Sequence, residues 1–122
     1  MKTDCVIILT TTDSEGESEK LAQVLLKEKL AACVRIQRIK SHYWWNKKIE
    51  CANEYLLMIK TRASLFAEIS ELIRKNHSYE TPEIVQIPIT DGSQKYLEWI
   101  GSVMEQSETL NNLVGKKSRG NS

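Results

Sequence analysis

The sequence predicts an α+β domain built on one four-stranded antiparallel sheet, and three observations predict it. Apolar periodicity alternates between strand-like and helix-like in the order β-α-β-β-α-β-α. The first six elements match the split βαβ unit of ferredoxin-like folds, with one helix added at the C-terminal side. The runs Val6–Leu9 and Tyr55–Ile59 are apolar on both faces, as central strands are, while Pro88 lacks the amide proton a central strand must donate and so belongs at an edge.

Cys5–Leu9 is a short β-branched apolar run, read as a buried strand, and Thr10–Ser14 follow as a polar turn. Ser14 and Glu17 have the spacing of a capping box, and Leu21, Ala22, Leu25, Leu26 and Leu30 then recur on one helical face. Cys33 to Trp45 holds β-branched and aromatic residues with no Gly or Pro. As one strand it extends about 43 Å at about 3.3 Å per residue, against a radius of gyration of about 14 Å for a compact chain of this size. Such a strand overruns its own domain, so its far end is expected to meet another subunit. Asn46-Lys47-Lys48 reads as a turn and Ile49–Thr61 as the antiparallel return strand. A second helix is expected over Ser64–Asn76, with Leu65, Ile69, Leu72 and Ile73 as its apolar stripe. A loop follows to Pro82, because the residue before a proline is driven out of the helical region. Glu83–Thr90 is expected as the fourth strand, and Asp91-Gly92-Ser93 turns into a third helix presenting Tyr96, Leu97, Ile100, Val103 and Met104 on one face. One domain over residues 1–107 is expected, with a polar C-terminal tail over 108–122.

A sheet with helices on one face only should alternate to polar on the other face if that face were wet. Here the central strands stay apolar on both, which again calls for cover by another subunit. The 122 residues carry a net charge of +1 and 41% hydrophobic residues, which suits one globular core and gives no basic face for nucleic acid. No apolar run approaches the length of a membrane span, and there is no leader-like start, so a cytoplasmic protein is expected. Cys5, Cys33 and Cys51 are odd in number and lack C-x-x-C spacing, which fits reduced thiols packed as small hydrophobes.

No nucleotide-binding, metalloprotease or serine-hydrolase motif is present and no nucleophile–base pair can be named, so no enzyme is expected. His42 lies in the aromatic segment His42-Tyr43-Trp44-Trp45, where a core or interface role is expected. Asn76-His77-Ser78-Tyr79-Glu80-Thr81-Pro82-Glu83 gathers an imidazole, a phenol and two carboxylates between a helix and a strand. Imidazole and carboxylate together suit a borderline divalent ion such as copper or zinc; equally, such groups can serve only to satisfy backbone donors at a helix exit. Trp45, Lys60 and Trp99 are further candidates to join this loop around a cleft.

Leu30-Ala31-Ala32-Cys33, Tyr43-Trp44-Trp45, Lys48-Ile49-Glu50, Ile59-Lys60-Thr61, His77-Ser78-Tyr79-Glu80-Thr81-Pro82-Glu83 and Tyr96-Leu97-Glu98-Trp99-Ile100, in this order and spacing, resemble the CutA family of divalent-cation tolerance proteins over about residues 4–105. The resemblance implies a ferredoxin-like homotrimer in which long second and third strands cross between subunits. It also implies a divalent metal, copper or zinc, with His77 and Glu83 as metal ligands and Glu80 as a further oxygen donor. Thr10 and Asn76 stand where bacterial members carry a cysteine and the first of two histidines, and Ser78 stands for the usual proline, so the implied site is weak. A PII-like signalling or scaffold trimer is the alternative it leaves, with Lys60, the tryptophans and the tyrosines lining subunit clefts for a small anion or a protein partner.

Overall fold

The computed structural model describes residues 3–113, with side chains described as far as Met104. Its elements run β1 (Cys5–Thr12), α1 (Glu15–Lys27), β2 (Cys33–Trp45), β3 (Lys48–Arg62), a 3-10 turn (Ala63–Leu65), α2 (Phe66–Lys75), β4 (Val85–Pro88) and α3 (Gln94–Leu113). The sheet order is β2-β3-β1-β4 with every pair antiparallel, so β1 and β3 are central and β4 is an edge, as the ferredoxin-like reading requires. The polar stretch expected from Glu108 continues α3 as far as Leu113, and its remainder lies outside the described residues.

Strand alternation assigns the two faces of the sheet. Val6, Ile8, Leu57 and Ile59 point to α1 and α2, where they form the main core with Leu21, Leu25, Ile69 and Ile73. The intervening residues Ile7, Leu9, Leu56 and Met58 point to the opposite face. There α3 covers only the Cys5 end, packing Ile100 and Met104 onto that cysteine. Ile7, Leu9, Leu56 and Met58 stay only partly buried on this face, and β4 adds Val85, 43% exposed, and Ile87, 46% exposed.

The α1 helix starts on Ser14, whose hydroxyl accepts the amide proton of Glu17 at 3.0 Å. Its C-terminus is a Schellman turn: Leu30 N donates to Leu25 O and Lys29 N to Leu26 O, with Lys29 left-handed at φ 59°. This turn ends the helix before Leu30, which the periodicity assigned to it, yet keeps Leu30 in the core. Asn46 and Lys47, at φ 51° and 65°, form a two-residue hairpin loop of the kind that matches strand twist, and so fix the β2–β3 register from Trp45↔Lys48 to Cys33↔Lys60. β4 is shorter than the predicted Glu83–Thr90. Its ladder runs only from Val85↔Leu9 to Pro88↔Val6, because the preceding loop diverges to wrap the far end of β1.

Candidate functional site

The loop after α2 closes over the end of β1 through His77, whose side chain has no exposure to solvent. Its Nε2 lies 2.5 Å from Thr11 O, and its Nδ1 lies 3.0 Å from the backbone N of Tyr79. A carbonyl oxygen only accepts and an amide only donates, so Nε2 carries the proton and Nδ1 gives its lone pair to the Tyr79 amide. Both ring nitrogens are committed to holding the loop. Ser78 adds a second tie: its amide and hydroxyl donate to Glu17 at 3.1 and 3.2 Å. Glu17 therefore completes only half of the predicted capping box and spends its carboxylate on the loop.

Tyr79 stacks at a tilt on His77, centroids 4.8 Å apart, and its hydroxyl donates to Glu54 Oε2 at 2.8 Å. Burial, and then the hydrogen bond to the Glu54 carboxylate, push the Tyr79 phenol well above its ordinary range. Glu54 itself is only 8% exposed. Around this pair opens a cleft of about 520 Å³, lined by Thr11, Ser41, His42, Tyr43, Trp45, Glu54, Tyr79, Glu80, Thr81 and Glu83. Its floor is the hairpin beyond the end of β1, its wall the loop.

Of the residues singled out in the sequence, Trp45, Tyr79, Glu80 and Glu83 meet in this cleft. His77 lies behind it as a structural residue of the loop. Lys60 and Trp99 are elsewhere in the chain: Lys60 Nζ donates to Tyr96 Oη at 2.8 Å, and Tyr96 stacks on Trp99 with centroids 5.7 Å apart. Glu17 and Glu54 were missed. A carboxylate standing directly before the apolar run Tyr55–Ile59 of β3 was the legible signal for Glu54, whereas the reach of Glu17 across the fold had none.

His77 does not fit the metal the family implies, because a cation at either nitrogen must first displace a hydrogen bond that shapes the loop. Thr10 Oγ1 is fully buried with no partner among the described residues, and a hydroxyl is a poor donor to copper. Among the described residues no three His, Cys, Asp or Glu side chains are spaced to enclose a metal. Glu80 and Glu83 are exposed carboxylates at the cleft and keep their oxygens open to a hard or borderline cation.

A ferredoxin-like sheet with an overlong β2–β3 hairpin, a third helix on the opposite face and a His-Ser-Tyr-Glu loop over the first strand defines the class to which this protein belongs. Residues 6–103 match the family model described as CutA1 divalent ion tolerance protein. The divalent-cation tolerance protein CutA of Archaeoglobus fulgidus is 46% identical over 98 residues, which are 80% of this chain and 96% of that one. The chloroplastic CutA protein of Arabidopsis thaliana is 44% identical over 96 residues, 78% of this chain and 53% of the plant protein. The solved structure of the Archaeoglobus fulgidus protein, described as a periplasmic divalent cation tolerance protein, superposes at a TM-score of 0.79 with 44% identity, covering 82% of this chain and 98% of that one. The crystal structure of CutA1 from Oryza sativa gives a TM-score of 0.78 at 39% identity, covering 83% and 94%. The chain belongs to the CutA1 divalent ion tolerance protein family. No described helix is long and apolar enough to cross a membrane.

Proposed function

We propose that this divalent-cation tolerance protein acts as a cytoplasmic homotrimer that holds a divalent cation, copper or zinc, on the cleft carboxylates Glu80 and Glu83 and not on His77. The commitment of both His77 nitrogens to Thr11 and Tyr79 carries this reading, because it leaves the exposed carboxylates as the open donors near the loop. Oxygen donors bind copper or zinc less tightly than an imidazole–thiolate set, so affinity is modest. Calorimetric titration of metal-stripped protein with Zn²⁺ and Cu²⁺ tests it. Glu83→Gln and Glu80→Gln should each weaken binding by roughly tenfold, and His77→Ala should act only through the loop. Submicromolar binding abolished by His77→Ala and indifferent to Glu83→Gln would return the metal to the imidazole.

The trimer is supported by the apolar face of Ile7, Leu9, Met58, Val85 and Ile87 and by the bare hairpin tip. A mass in solution three times the 14.0 kDa chain is the expected result of light scattering. The signalling alternative gains from the cleft volume, which is within the range of small-ligand sites. Its lining carboxylates disfavour an anion, so in this form the cleft receives a protein side chain or another uncharged or cationic group. Nucleotides and small anions should leave the thermal midpoint unchanged, and a rise would revive the anion-binding form.

A further inference from the structure

The register of the hairpin sets His42 directly opposite Cys51. Directly opposed residues in an antiparallel pair have Cβ atoms about 4.5–5.5 Å apart, so the turn at Asn46 and Lys47 forces this imidazole and thiol together. Cys51 Sγ lies 4.0 Å from His42 Nε2, and both side chains are exposed in the single chain. Neither belongs to the core, and neither takes part in the hydrogen bonds that hold the 76–83 loop. The other two thiols are differently placed: Cys5 is buried under α3, and Cys33 is half-buried beside Arg35.

A thiolate paired with an imidazole selects thiophilic d¹⁰ cations over magnesium, calcium or manganese. With sulfur at about 2.3 Å and nitrogen at about 2.0 Å from the metal, the two donors are about 3.5 Å apart at a tetrahedral angle and about 4.3 Å apart when linear. The observed 4.0 Å lies between these limits, so the pair can close on an ion by small side-chain rotations without moving the strands. We propose that His42 and Cys51 form a second cation site, selective for Zn²⁺ or Cu⁺, with solvent filling the remaining positions. On binding, Cys51 gives up its S–H proton to solvent as the S–metal bond forms, and His42 Nε2 supplies its lone pair. One proton leaves per ion and no oxidation state changes. His42 also lines the cleft, but the site's donors are the imidazole and the Cys51 thiolate and not Glu80 or Glu83, so it does not rest on the carboxylate reading.

The reduced, metal-stripped full chain would be titrated with Co²⁺ as a spectroscopic stand-in, then with Zn²⁺. The expected result is a sulfur-to-cobalt charge-transfer absorption that Zn²⁺ displaces, with one proton released per ion. Cys51→Ser should abolish the absorption and His42→Ala should weaken Co²⁺ binding by roughly tenfold or more, while Cys33→Ser and Glu83→Gln leave both unchanged. Circular dichroism and mass in solution, unchanged in each variant, show that these exposed positions do not act through folding. Absence of the sulfur absorption in the wild type, or its survival in Cys51→Ser, overturns the proposal. Loss of cation binding in Glu83→Gln with no sulfur absorption overturns it too, while leaving the cleft reading in place. A sulfur absorption with no effect of Glu80→Gln or Glu83→Gln supports this site and removes the cleft's.

Discussion

Thr10 places a hydroxyl in the core of β1 with no partner among the described residues, although it is fully buried. An unmade buried hydrogen bond costs about 1–3 kcal/mol, and valine has the same shape without the hydroxyl. Thr10→Val is therefore expected to stabilise the chain by about 1 kcal/mol, read from the shift in urea midpoint, and to leave cation affinity unchanged. Tyr79 makes a second prediction. Its phenol is held above its ordinary value by burial and by the Glu54 carboxylate. Below the unfolded value of about 10 both states keep the proton and the contribution to stability is complete. Above it the unfolded chain ionises first, so the contribution is lost as pH rises toward the folded value. The stability advantage of wild type over Tyr79→Phe should therefore hold steady up to about pH 9 and shrink above about pH 10 in parallel urea titrations. A constant advantage would mean that the hydroxyl is not held in its protonated form by the fold. His77 and Glu83 were legible as polar residues crowded into a loop, yet their roles were not. Which atom a histidine offers depends on the carbonyl of Thr11, 66 positions away in sequence, and no local pattern encodes that.

At the scale of the element, local chemistry and tertiary demand divide the work. The apolar stripes of α1 and α2 and the bounds of β2 follow from periodicity, since each element must bury a continuous face. The helix end at Lys29 does not, because the signal for a left-handed C-terminal residue is glycine and the sequence offers lysine. The Schellman turn forms there because it carries Leu30 into the core and delivers Leu30 O to the Thr61 hydroxyl at 2.6 Å. Lys29→Gly should then stabilise the protein by about 1 kcal/mol, raising the thermal midpoint without changing the oligomer. A fall in the midpoint would show that flexibility gained by the unfolded chain outweighs the relief of backbone strain. The β2–β3 hairpin has the same character. Its loop is not the preferred Asn-Gly, and Lys47 is held left-handed by the long ladder on either side.

For the whole molecule, the distribution of exposed apolar side chains is the dominant fact. Trp44 and Ile49 at the hairpin tip are 70% and 68% exposed, and Val85 and Ile87 lie 43% and 46% exposed on the part of the sheet face that α3 leaves uncovered. Placing a charge there costs little in an isolated chain and much in an assembly that buries it. On the trimer proposed above, Ile87→Asp is expected to reduce the mass in solution to that of one chain, with circular dichroism preserved. A trimer that survives this change would place the interface elsewhere. A strand too long for its domain and central strands apolar on both faces already pointed to assembly, because both express an excess of apolar surface over what one chain can bury.

The sequence by itself determined the element order, the central and edge strands, the capped start of α1, the length of β2 and the apolar character of both sheet faces. All of these are consequences of local periodicity and of where proline can stand. Only the tertiary structure decided how the candidate residues are grouped. It drew Trp45, Tyr79, Glu80 and Glu83 into one cleft, kept Lys60 and Trp99 apart beside Tyr96, turned His77 into a clasp, and set Cys51 against His42. Those groupings depend on strand register and on hydrogen bonds between segments far apart in the chain, which composition and spacing do not carry.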